Sequence, residues 1–219
     1  MPELGLESSW DMSEALHRAT YTITEADLPR MVLDQHELPP ALRNFLPART
    51  GVLDNDTMAR QGFPGSSAER FRVAGRLTGY LQEFAAPVPE GEDMPLGYDI
   101  AVATVVHLFE DAQGVSRWIE EIFLREFEAH VDQELQPGQR LLMVQRLAFQ
   151  GFADEAAGLR VLQSSPMGPI SSTVVDFRLG RLLGVAYVAT FGNYERQEIV
   201  ARLGHALERK IVRVVLEVP

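Results

Sequence analysis

His107 is the side chain best placed for chemistry in this sequence, because it stands in a largely apolar run, Tyr98 to Phe109. A buried imidazole needs a hydrogen-bonding partner, and a histidine near neutral pH can move a proton. The second candidate is the acidic pair Asp154-Glu155, inside the otherwise apolar Gly151-Phe-Ala-Asp-Glu-Ala-Ala-Gly158. Together, His107 with Asp154 or Glu155 could serve a small hydrolase or isomerase. Acid–base work wants two groups in different environments, however, and adjacency of two acids does not supply that. A turn or helix start explains the acidic pair more simply, and a satisfied core histidine explains His107.

Other motifs exclude more than they suggest. His17, His36, His107, His130 and His205 are scattered, no pair has metal-ligand spacing, and HExxH is absent, so no metal dependence is expected. Asp54-Asn55-Asp56 resembles the opening of a calcium loop, but Ala59 replaces the glycine at the sixth position and Gly65 the acid at the twelfth. A helix cap fits it better, for a short helix through Met58 and Arg60 ended by Gly62 and Pro64. Gly62-Phe-Pro-Gly-Ser-Ser67 reads as a turn, and no GxSxG, GxGxxG or GxxxxGK[ST] is present. A serine nucleophile stays open, since triad members need not be neighbours in sequence. The absence of cysteine removes thiol catalysis, thiolate metal sites and disulfides. Lys210, the one lysine, is the sole Schiff-base candidate and falls on the expected C-terminal helix. A net charge of −11 argues against nucleic acid and anionic membrane surfaces as partners. No cofactor is expected.

The elements that must position these residues follow from apolar periodicity. Arg72 to Phe84 reads as a strand with Val73, Gly75, Leu77, Gly79 and Leu81 on one face and Arg76, Thr78, Tyr80 and Gln82 on the other. Gly75 and Gly79 suit close backbone approach, as does Gly204. After a loop over Ala86 to Gly97, Tyr98 to Phe109 is apolar on both faces, the mark of a central covered strand. Val115, Ile119, Ile122, Phe123, Phe127 and Val131 form one helical stripe, and Pro137-Gly138 stops it. Leu141 to Phe149 is ambiguous between strand and helix, and Gly158 to Gln163 reads as a strand. Val174 to Arg178 and Leu182 to Thr190 form a hairpin, and a last helix runs from about Asn193 toward Val212. Met31-Val32-Leu33 suggests a short strand between two leucine–proline steps, and Ser13 to Arg18 a short helix. Two strand-strand-helix units therefore follow one another without a residue-level repeat. The class is α+β, an antiparallel sheet packed by helices.

Three segments carry a family resemblance. Phe152-Ala153-Asp154-Glu155-Ala156, then Val174 to Arg181 with Arg178-Leu179-Gly180, and finally Glu198 with Ala201-Arg202-Leu203 resemble the layout of bacterial lipoproteins and extracytoplasmic sensor domains. Those domains are likened to the PsbP-like fold, and the likeness covers roughly the last two-thirds of the chain, with Gly75 to Tyr80 matching loosely. Ala153 stands where glycine is usual, and neither a leader nor a lipid-accepting cysteine is visible. The resemblance implies a non-enzymatic binding or accessory domain with no common catalytic set.

The expected organisation is a tail or short helix over 1–22 and one α+β domain over 23–219. The expected function is binding of a small apolar or amphipathic molecule or a protein partner, in a pocket between sheet and helix lined by Arg76, Tyr80 and His107. A purely structural interaction subunit is the other non-enzymatic reading. With no membrane-spanning run the chain is expected to be soluble, either cytoplasmic or the mature part of an exported protein.

Overall fold

The computed structural model describes residues 14–87, 94–136 and 138–217. Its centre is an eight-stranded sheet of order β1-β2-β3-β8-β7-β6-β5-β4, antiparallel at every pairing. The strands are β1 (Leu46–Val52), β2 (Arg76–Ala85), β3 (Asp99–Phe109), β4 (Glu134–Gln136), β5 (Gln139–Leu147), β6 (Ala156–Gln163), β7 (Ile170–Leu179) and β8 (Leu182–Phe191). β3 and β8 lie side by side in the middle, which is why β3 is apolar on both faces. Leu141 to Phe149, ambiguous by periodicity, is strand up to Leu147. Helices cover both faces of the sheet, so the α+β class holds. Among the described residues no helix is long and apolar enough to cross a membrane.

One face carries α4 (Gln197–Glu217), whose Val200, Leu203, Leu207 and Ile211 meet Val102, Val106, Val175, Phe177, Ala186 and Val188. Gly204 brings it close: a Cβ there would stand 2.9 Å from the Phe152 ring and 3.0 Å from Val175. Residues 14–45 wrap the same face. Met31-Val32-Leu33 is not a strand. Pro29 instead sits in the first positions of a single helical turn, Leu28–Met31, that buries Leu28 and Met31, because a proline early in a helix fixes φ where no N–H is needed. Residues 14–19 are helical, Thr20 is fully buried, and Arg181 at the β7–β8 turn donates to the carbonyls of Thr20, Tyr21 and Ile23. The remainder of the expected tail, 1–13, lies outside the described residues, as do 88–93 of the expected loop, Pro137 and the last two residues.

The other face carries α1 (Asn55–Gln61), α2 (Ala68–Val73) and α3, a continuous helix over 112–129. Asp54 caps α1 by accepting from the Thr57 N–H, the contact that lowers its carboxyl pKa. The middle of α3, Trp118–Leu124, is π-helical, with the Arg125 N–H bonding the Glu120 carbonyl. Two expectations change here. Arg72 and Val73 end α2 rather than begin a strand, and the β2–β3 register slips between Arg76 and Thr78. That β-bulge turns Arg76 onto the face of Gly79 and Leu81, away from Thr78 and Tyr80.

Candidate functional site

Arg76 and His107, expected on one strand pair, do meet. The Arg76 guanidinium donates to His107 Nδ1 from Nε at 3.2 Å and Nη2 at 2.9 Å, to Asn55 Oδ1 at 2.6 Å and to the Leu53 carbonyl at 2.5 Å. Since a guanidinium only donates, His107 Nδ1 must accept, which places the imidazole proton on Nε2. Arg76 is 1% exposed and no carboxylate among the described residues pairs with it. Burial pushes its pKa down to about 9, against the opposing field of Asp54, so it keeps its charge at neutral pH. Burial, and next the Arg76 charge, hold His107 well below its ordinary value. Gly79 makes room for both: a Cβ there would stand 2.4 Å from His107 Nδ1. The Trp118 ring closes the group, its centroid 5.9 Å from Arg76 Cζ.

Tyr80 faces the other side of the sheet, where its hydroxyl accepts from Thr50 Oγ1 at 3.3 Å. The bulge at Arg76 is the reason: strand alternation from Arg72 onward put Arg76 and Tyr80 on one face, and the extra residue separates them. Nor does the structure bring His107 to either acid. Asp154 accepts from His17 Nε2 at 2.7 Å and the Gly180 N–H at 3.0 Å, and pairs with Arg178. Glu155 accepts from Ser116 Oγ at 2.6 Å. These acids hold the N-terminal helical turn, the β7–β8 turn and α3 together, and neither begins a helix: the chain runs from them into β6. Lys210 is engaged by Asp34 and Glu37.

In front of Trp118 lies a cavity of about 330 Å³. α3 contributes Trp118, Ile122, Phe123, Glu126 and Phe127, and the α1–α2 region contributes Gln61, Gly62, Phe63, Ser66 and Phe71. Leu135, Gln139 and Gln163, from the β4–β6 end of the sheet, close the far side. The π segment matters locally. Its extra residue per turn displaces Ile122 from the buried row of Val115, Ile119 and Phe123, so Ile122 stays half-buried against the cavity. Phe63 meets Phe127 edge-on at 4.7 Å and stacks on His130 at 4.4 Å. Glu126 is 8% exposed, and its Oε1 accepts from Arg70 Nη1 at 2.5 Å.

Periodicity marked Ile122, Phe123 and Phe127 as helix core, but not Trp118, Phe63, Phe71 or Glu126 as neighbours. The local signal available was the density of aromatics in Trp118 to Phe127. No sequence pattern marks Asp176. It is 3% exposed on β7, no donor among the described residues reaches its carboxyl, and burial raises its pKa well above the ordinary value. A wider, more open depression of about 690 Å³ lies between residues 148–150 and the start of α4.

Two solved mycobacterial structures are similar to this chain. The extracellular domain of PknH from Mycobacterium tuberculosis superposes with a TM-score of 0.55 and 11% identity, over 89% of this chain and 97% of that one. A putative uncharacterized protein (Rv0999 ortholog) from Mycobacterium smegmatis aligns at 0.45 and 12%, over 90% and 99%. At such identities the first likeness concerns the fold alone. No family model and no curated protein matches the chain.

Proposed function

We propose that this chain is a non-enzymatic binding domain of extracytoplasmic type, folding as one unit over 14–217, whose aromatic cavity holds a small apolar or amphipathic molecule. The cavity carries this reading. Its volume falls in the range of small-molecule sites, and its wall is apolar and aromatic with a few polar groups at the edge. The fold shared with an extracellular domain supports the setting, as does the sequence's resemblance to lipoprotein and sensor domains of PsbP-like type. In this reading Arg76 and His107 hold Trp118 from behind rather than touch the ligand, and Tyr80 takes no part. An enzymatic role for His107 with Asp154 or Glu155 finds no support, because Arg76 occupies the imidazole Nδ1 and both acids are engaged elsewhere.

The test is to fill the cavity. Ile122→Trp should abolish uptake of an apolar fluorescent probe while leaving the melting temperature unchanged or higher, since the added ring occupies empty space. Native mass spectrometry of the wild-type protein should show a co-purifying small molecule that the variant lacks. Equal probe binding by both proteins would refute the assignment.

A further inference from the structure

We infer that the cavity selects a cation, an aromatic or alkyl amine or quaternary ammonium whose charge lies against Glu126 and whose apolar body lies among Trp118, Phe123 and Phe127. The inference rests on the cavity being the binding site and adds the charge class of what enters it. Glu126 is the one ionisable side chain among the described lining residues, and no Arg, Lys or His lines the cavity with it. Its Oε1 is taken by Arg70, while Oε2 has no donor among the described residues. That second oxygen keeps accepting capacity that an ammonium N–H would fill in place of solvent.

Arg70 offsets this preference only in part: it pairs with Oε1 alone, its side chain is 42% exposed, and it stands outside the cavity wall. The surrounding rings act in the same direction, because the face of an indole or phenyl ring attracts a cation and repels an anion. Gln61, Ser66, Gln139 and Gln163 can donate or accept, so they orient a ligand without choosing its charge. A carboxylate or phosphate ligand would meet Glu126 with no counter-charge on the wall.

Three probes of one shape separate charge from shape: 2-naphthylmethylamine, 2-naphthalenemethanol and 2-naphthoate, titrated calorimetrically at neutral pH. The amine should bind roughly ten-fold or more tightly than the alcohol, with naphthoate weakest. Glu126→Gln should remove the amine's advantage and keep alcohol binding within about two- to three-fold. Arg70→Gln, which leaves the cavity wall intact, should strengthen amine binding. Amine and alcohol binding equally, or naphthoate binding best, would overturn the charge inference and leave the cavity reading standing. Failure of all three probes to bind would overturn both.

Discussion

Asp176 and His107 lie on the same face of the sheet and move stability with pH in opposite directions. The Asp176 carboxyl is raised by burial, so the unfolded chain loses this proton first, and stability falls as pH climbs above the ordinary value of 3.8. His107 is held low by burial and by Arg76, so the unfolded chain gains this proton first, and stability falls as pH drops below 6.5. Asp176→Asn should therefore raise the melting temperature at neutral pH, by about 2–4 °C per kcal/mol gained, and flatten the decline from mildly acidic pH upward. His107→Gln should cost about 1–3 kcal/mol and flatten the acid limb. Melting curves from acid to mildly alkaline pH check both, and an Asp176→Asn protein less stable at neutral pH would contradict the account. That His107 would need a partner was legible in the sequence, from one imidazole on a doubly apolar strand. That the partner is Arg76 was legible only in part, because a one-residue bulge decides which face an arginine takes.

The helices show what periodicity can and cannot supply. α4 followed the 3.6-residue stripe through Ile199, Leu203, Leu207 and Ile211 directly, and Leu203 is fully buried. Leu203→Asp should destabilise by roughly 3 kcal/mol or more. Ile122 was placed on an equally continuous stripe, yet the π turn leaves it half-buried at the cavity wall, where an aspartate keeps access to water. Ile122→Asp should cost less than Leu203→Asp, on the order of 1–2 kcal/mol. Denaturant unfolding of the two variants decides the ranking, and equal losses would place Ile122 in the closed core. A π turn has no strong signature in residue types, which is why the cavity it helps shape did not show in the stripe. β1 and α2 were missed for a related reason: most of β1 is exposed at the sheet edge, so it has no apolar alternation to read.

At the scale of the whole molecule, the hairpins β2–β3 and β7–β8 and their helices were legible, because each joins neighbours in sequence. The order of the strands was not, since the pairing of β3 with β8 joins segments far apart in the chain and leaves no local mark. Among the described residues β8 alone links β1-β2-β3 to β7-β6-β5-β4. Synthesis runs from the amino end, so while the chain is being made the two halves of the sheet wait with facing, unpaired edges until Leu182 to Phe191 have left the ribosome. Nascent chains halted before β8 should accordingly be cut readily by protease throughout, and those extended past α4 should resist. A protease-resistant fragment ending before Leu182 would show that β1–β3 or β4–β7 folds without the strand between them. The long-range closure also makes folding slow relative to a helical protein of this length, so the exposed edges of the waiting halves are the surfaces a chaperone would have to shield.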